Sequence, residues 1–352
     1  MIMMKKQNSK ELREIQRIRD MEQRKFPYGT IQNVYKGRLE LIGEMSQIPD
    51  SQKLFGAIVY LLADNNGYSA ASEFVGKVKN RNIDFALSSA IPEGFLPTPK
   101  AYLLREAQEM DEKRRKSIYT NIKKLDYVAY SDIIKMVADP KSLSNENINT
   151  VVEKGFVRLI TSQQVHVNTL YENNEDNHIF SIQRTTCMHN EKTIRTFEFY
   201  IRTDYMPIIN LLKNQQSQVL TLGKRSSQGY NLFILSGVNP IGSTEKLGLN
   251  SANSFLNLGM QLPNNIDYCN FRSALMLFSS ERRPYTRGEK TAWDDSENRG
   301  FFISFLAPGS IIVLPNAGAL KNAGKSIPAP TAVNGEIVFG NAFLYPLEVN
   351  NA

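Results

Sequence analysis

Within the nine residues LGKRSSQGY (222–230), Gly223 and Gly229 bracket two cations, Lys224 and Arg225, and two hydroxyls, Ser226 and Ser227. That set of side chains suits an anionic backbone such as phosphate. Glycine lets the main chain come close to a ligand or take a positive φ. The nucleotide-binding loop G-x-x-x-x-G-K-[ST] is a different pattern: its first glycine would fall on Gln218, and the residue after Lys224 is Arg225. An ATP site is not indicated.

Other basic groups could extend an anion-binding surface. Lys36 and Arg38 flank Gly37, Arg184 lies in one strand-like run and Arg195 and Arg202 in the next, and NFRSALMLFSSERRPYTRGEK (270–290) gathers Arg272, Arg282, Arg283, Arg287 and Lys290 around Tyr285. Lys and Arg supply phosphate contacts, and aromatic rings stack on unpaired bases. A charge run alone is usually a solvated face, so these groups count only in combination with the loop.

Catalytic chemistry finds less support. The chain has no Ser-His-Asp or H-E-x-x-H pattern and no carboxylate cluster suited to a two-metal nuclease. Its three histidines are His166, His178 and His189. Cys187-x-His189 matches no common zinc spacing, so these residues are read as strand and turn positions and no metal or other cofactor is expected. A metal-independent ribonuclease would need a general base and acid beside the scissile phosphate. His166, in QQVHVNTLY, is the candidate, against a reading as an ordinary strand residue.

The elements that must position the loop follow from hydrophobic periodicity. VYKGRLELI (34–42) alternates as a strand, with Tyr35, Leu39 and Leu41 on one face and Lys36, Arg38 and Glu40 on the other. PDSQKLFGAIVYLLADNNG (49–67) reads as a helix capped by Asp50 or Ser51, with a stripe of Leu54, Ile58 and Leu61 beside Phe55, Val59 and Leu62. Residues 178–188 and 193–203 are two strands joined by HNEK, 204–216 a short helix, and 230–237 a strand. The order strand, helix, strand, strand, helix, strand predicts an α+β, ferredoxin-like (RRM-like) domain over 29–237. A large helical and β insertion is expected at about 68–177, with Pro97 and Pro99 holding an extended stretch and 109–137 largely helical. Residues 238–352 predict a second β-rich unit, and residues 1–28 a charged extension.

At 352 residues the chain can form two domains. Its net charge of +7, from 42 Lys+Arg against 35 Asp+Glu, fits a nucleic-acid partner and many enzymes alike. Two distant cysteines, Cys187 and Cys269, provide no disulfide framework and suggest a reducing cytoplasm. No signal peptide or membrane span is expected, and no membrane partner.

Taken together, these segments resemble the RAMP superfamily of CRISPR-associated proteins, in which LGKRSSQGY looks like the glycine-rich loop. SQKLFGAIVYLL, ALSSAIPEGFLPTPKAYLL, NIKKLDYVAYSDIIKMV, RSALMLFSSE and RGFFISFLAPGS resemble, in order, stretches of the type III-A (Csm-type) subunit that holds the 5′ tag of the guide RNA. The resemblance implies two ferredoxin-like domains and a non-catalytic RNA-binding role within an RNA-guided effector of antiviral defence. It implies as partners the crRNA 5′ tag, the large subunit with nuclease and cyclase activity, a backbone RAMP subunit and, indirectly, target RNA. Gly223, Lys224, Arg225, Ser226, Ser227 and Gly229 would line the tag. Tyr230, Lys36, Arg38, Lys53, Arg184, Arg282 and Arg283 complete the candidate RNA-binding set. Where the family loop commonly has a final glycine, this chain has Asn231. The alternative function is a metal-independent endoribonuclease that processes repeat RNA.

Overall fold

A computed structural model describes residues 33–108, 112–138, 145–167, 179–241, 254–282, 301–315, 317–329 and 335–347. The charged extension at 1–28 lies outside them. The first part of the chain runs β1 (Val34–Leu41), α1 (Ser51–Asn66), α2 (Tyr68–Lys79), β2 (Phe85–Leu87) and β3 (Ile91–Pro92). A lobe follows: β4 (Phe95–Pro97), α3 (Lys100–Gln108), α4 (Glu112–Lys124), β5 (Tyr127–Ala129), α5 (Tyr130–Ala138), α6 (Asn145–Lys154), β6 (Val157–Val167), β7 (Ile179–His189) and β8 (Lys192–Ile194). The chain then returns through β9 (Thr196–Thr203), α7 (Met206–Asn214), β10 (Val219–Thr221) and β11 (Leu232–Pro240).

The central sheet is antiparallel, in the order β10-β11-β1-β9-β2, with β3 also on β9. The β1 alternation is realised: Tyr35, Leu39 and Leu41 are buried, while Arg38 and Glu40 face outward. At Gly37 the ring of Phe199 occupies the space a Cβ would need, so this glycine serves packing between β1 and β9. Helix α1 starts where Asp50 accepts a hydrogen bond from the Lys53 amide at 2.9 Å. Leu54, Phe55, Ile58 and Leu62 form its buried stripe. Gly67, at φ 87°, ends α1 and turns the chain into α2.

The hairpin expectation needs one correction. HNEK does turn a hairpin, with His189 opposite Lys192 and both Asn190 and Glu191 at positive φ. Its second arm stops at Ile194, however, and β9 begins at Thr196 in the central sheet. Residues 179–189 therefore belong to the five-stranded sheet β4-β5-β6-β7-β8. The strand beside β9 in the central sheet is instead Phe85–Leu87. Burial explains the split: residues 197–203 are buried continuously, as in a strand covered on both faces, whereas β7 is only partly buried. Residues 68–87, expected within the insertion, likewise carry α2 and β2, and Ala71, Phe74 and Val78 join the central core.

The remainder is β-rich as expected: β12 (Ser254–Asn257), β13 (Leu277–Arg282), β14 (Phe301–Leu306), β15 (Ile311–Val313), β16 (Ile327–Pro328), β17 (Ile337–Val338) and β18 (Leu344–Leu347). These make one three-stranded and two two-stranded sheets, and no α-helix accompanies them among the described residues. The unit is stitched to the central sheet, with the Leu87 amide donating to Asn341 O at 3.0 Å and the Phe343 amide to Leu87 O at 3.1 Å. Phe339 stacks on Phe55 at 4.4 Å. A second core, containing Tyr200, Leu103, Ile118, Ile122, Leu256 and Phe343, joins the sheet, the lobe and the C-terminal unit.

Candidate nucleic-acid interface

The loop after β10 is shaped by three left-handed residues spaced along it. Arg225 (φ 66°, ψ 28°) precedes a single 3-10 turn at Ser226–Gln228, Gly229 (φ 81°, ψ 9°) ends it, and Asn231 (φ 57°) leads into β11. Gly223, at φ 149°, is also outside the range that side chains favour. The turn closes on itself: the Gln228 amide donates to Arg225 O at 3.0 Å and the Gly229 amide to Ser226 O at 2.9 Å. The amides of Gly223, Lys224, Ser226 and Ser227 have no acceptor among the described residues. Successive amides around a left-handed residue form a concavity with positive potential, the usual backbone device for holding an anion.

Asn231 holds the loop in place. It is buried, its Nδ2 donates to Lys224 O at 2.7 Å and to Ser46 Oγ at 3.0 Å, and its Oδ1 accepts from the Ser46 amide at 3.0 Å. Its own amide donates to Glu44 O at 2.7 Å. Asparagine tolerates the left-handed region better than other side chains do. It can therefore hold this left-handed position and add bonds that a glycine would lack. Gly43 is required at the same seat, because a Cβ there would lie 2.2 Å from Gly229 O.

A third segment closes the site. The Thr185 amide and hydroxyl of β7 donate to Met45 O and Ser46 O, each at 2.8 Å. Arg184 pairs with Glu44 at 3.0 Å. The Tyr230 hydroxyl donates to Gln164 Oε1 of β6 at 3.1 Å. Burial, then the hydrogen-bonded Glu44 carboxylate, raise the Tyr230 phenol above its ordinary value and keep it a donor.

The structure thus brings Arg184 to the loop that carries Gly223, Lys224, Arg225, Ser226, Ser227 and Gly229. Tyr230 sits there too, but its ring is buried and seats the loop without offering a stacking face. Lys224 and Ser227 are exposed. Arg225 is exposed as well, with Nη1 donating to Gln228 Oε1 at 3.1 Å.

The other candidates stand apart from this constellation. Lys36 lies five strand residues before Leu41, roughly 17 Å from that end, and meets Glu198 at 3.9 Å. Arg38 pairs with Glu93 at 3.1 Å, and Lys53 with its own cap Asp50 at 3.7 Å. Arg202 is a buried brace, held by Asp84 at 3.0 Å and donating to Leu320 O at 3.2 Å. Arg195 donates to Gly43 O at 3.1 Å and so supports the seat from below. Arg283, Tyr285, Arg287, Lys290 and His178 lie outside the described residues, as do the side chains of Arg282 and His166. Burial pushes the Cys187 thiol up to about 12, and His189 Nδ1 contacts Phe156 O at 3.3 Å while its ring lies against Phe95. A protonated thiol buried in apolar surroundings is a poor metal ligand.

Gly43, Glu44, Ser46, Gln164 and Thr185 escaped the sequence reading, and Asn231 entered it only as a departure from the glycine common in the resembled family. Only Gly43, directly after a strand, and Asn231, next to a glycine turn, carried a local signal.

No protein-family model and no curated protein matches the chain. Among solved structures, it is similar to a chain in the crystal structure of a Csm1-Csm4 cassette in complex with cA4: 14% identity and TM-score 0.51, covering 91% of this chain and 100% of that one. A chain of the cassette in complex with pppApA shares 16% identity at TM-score 0.50, covering 90% of this chain and 100% of the other. So does a chain of the Csm3-Csm4 subcomplex in the type III-A CRISPR-Cas interference complex, with 16% identity, TM-score 0.50 and coverage of 90% and 99%. The fold is therefore one found in type III-A complexes, in agreement with the family that the sequence motifs resemble.

Proposed function

We propose that this chain is a non-catalytic, RNA-binding subunit of a type III-A CRISPR ribonucleoprotein. It holds the repeat-derived 5′ tag of the crRNA in the 222–231 loop. The observation that carries this reading is the loop's backbone: four amides with no acceptor among the described residues, beside exposed Lys224 and Ser227, on a seat fixed by Asn231 and Gly43. Such a surface grips phosphates by geometry and charge. The shared fold with chains of Csm1-Csm4 and Csm3-Csm4 assemblies supports a place beside a large nuclease/cyclase subunit and a backbone subunit. The sheet order β11-β1-β9-β2, with α1 and α7 as its helices, supports a ferredoxin-like first domain. The RNA-guided role proposed here implies a cytoplasmic protein; no described helix is long and apolar enough to cross a membrane.

The test is metal-free incubation of the purified chain with labelled repeat-spacer RNA, reading band shift and cleavage together. Intact RNA bound with its tag, at least about tenfold weaker binding without the tag, and a similar loss in Lys224→Ala/Arg225→Ala are the expected results. Cleavage at one phosphodiester, abolished by His166→Ala, would instead make the chain a processing endoribonuclease.

A further inference from the structure

We infer that the β6–β7 ribbon of the lobe positions the glycine loop for RNA, with Gln164 and Thr185 as positioning residues that touch no RNA themselves. This role rests on the RNA-binding reading above and deepens it, since the loop's grip is then set from outside the loop. A loop of left-handed turns has no ladder of internal bonds, so its amides converge only if the chain on either side is held. The turn at Ser226–Gln228 is held at Lys224 before it and at Tyr230 after it, and both points lead back to the ribbon. On the first route the Thr185 hydroxyl donates to Ser46 O at 2.8 Å. The Ser46 amide donates in turn to Asn231 Oδ1 at 3.0 Å, and Asn231 Nδ2 donates to Lys224 O at 2.7 Å. On the second route the Tyr230 hydroxyl, one residue past Gly229, donates to Gln164 Oε1 at 3.1 Å. Backbone bridges follow the same path. Met45 pairs with Thr185 and Glu44 with Tyr230, so residues 44–46 join strand β7 to the loop.

The ribbon reaches the loop from a distance. Strand β6 meets β5 where Val157 lies opposite Tyr127, and Gln164 stands seven residues further along, roughly 23 Å away. Over that span β6 is exposed from 158 to 163, and it is half-buried again at Gln164, where it meets Tyr230. On β7, Thr185 is buried beside the segment it bonds. The ribbon thus carries the lobe's position to the loop, and by reciprocity RNA held in the loop fixes the ribbon. Register puts Arg184 on the same face as Gln164, where its pair with Glu44 adds a half-exposed and therefore weak ion pair. The hydrogen bonds of Gln164 and Thr185 carry the positioning.

The experiment uses the full chain and a fluorescein-labelled single-stranded RNA with the 5′ tag and a spacer, titrated by anisotropy over a salt series. Gln164→Leu and Tyr230→Phe each remove one partner of the same bond and are expected to weaken binding about fivefold, the worth of one neutral hydrogen bond. The double variant should bind no more weakly than either single one, because that bond can be lost only once. Thr185→Val should lose a similar factor, and Thr185→Ser, which keeps the hydroxyl, should restore it. Gln164 occupies a half-exposed strand position, so its variant keeps the test open if Thr185→Val fails to fold. The slope of log affinity against log salt should stay unchanged in all of these, whereas Lys224→Ala/Arg225→Ala should lower it by about 1.4. In the unaltered chain, saturating RNA should slow hydrogen exchange at the Thr185 amide, which donates to Met45 O. Additive losses in the Gln164 and Tyr230 pair would overturn the positioning role, as would a shallower salt slope. Unchanged affinity in every ribbon variant, while Lys224→Ala/Arg225→Ala loses binding, would also overturn it and leave the loop's function standing. No RNA binding by the unaltered chain would remove both readings at once.

Discussion

The glycine loop and helix α4 are both cationic, yet they are built in opposite ways. The loop owes its shape to single residues. Asn231 bonds to three groups at once, Gly43 makes room for Gly229 O, and Arg225 adopts a left-handed conformation that most side chains resist. Helix α4 owes its shape to a repeated pattern, with Ile118, Ile122 and Leu125 sharing the work of docking. A loop that presents amides must have its backbone fixed from outside, because it has no ladder of internal bonds. A helix fixes its own backbone and presents only side chains. The loop should therefore be brittle and the helix tolerant.

The largest expected break is Gly43→Ala. The new methyl would press on backbone that cannot rotate away, so the seat must shift at a loss of about 3 kcal/mol, read by chemical denaturation, with RNA affinity lost alongside. Next is Asn231→Ala, which removes the donor to the Lys224 carbonyl, leaves the Ser46 amide without its acceptor and keeps a strained φ, for about 2 kcal/mol. Asn231→Gly relieves the φ and loses only the side-chain bonds, so about 1 kcal/mol is expected. If the alanine and glycine variants proved equal, the left-handed geometry would not be part of the seat.

Arg225→Gly separates charge from shape. It should raise stability by about 0.5 kcal/mol through its left-handed φ while weakening RNA binding severalfold. The smallest effect belongs to α4: Lys123→Ala should change stability by no more than about 0.5 kcal/mol in a thermal melt. A larger loss there would show that the cations hold the lobe together, and would erase the contrast between the two regions.

Some of this is legible in the chain's local patterns. The alternation in 34–42, the Asp50 cap and the apolar stripe of 54–62 are of that kind, and each is realised. The two stretches that read as one hairpin are separated by something no local pattern encodes. Residues 192–194 and 196–203 both have strand composition, and only burial on two faces assigns the latter to the central sheet. β12 lies between β15 and β18 and is fully buried, so it lacks the alternation that marks a half-exposed strand in sequence.

The sequence by itself determined the chemistry of the loop, since glycines, cations and hydroxyls within nine residues suit few ligands other than a phosphate backbone. It also determined the helical stripes and the strand alternation, because these repeat at spacings set by backbone geometry. Only the tertiary structure decided which arginines were available. Arg202 and Arg184 occupy the same predicted hairpin, yet one is a buried brace on Asp84 and the other a half-exposed neighbour of the loop. Nor could sequence place Ser46, Thr185 and Asn231 together, because they meet through hydrogen bonds across 185 and 139 residues of chain. Side-chain identity fixes what a group can do, and the long-range packing of the chain fixes whether it is free to do it.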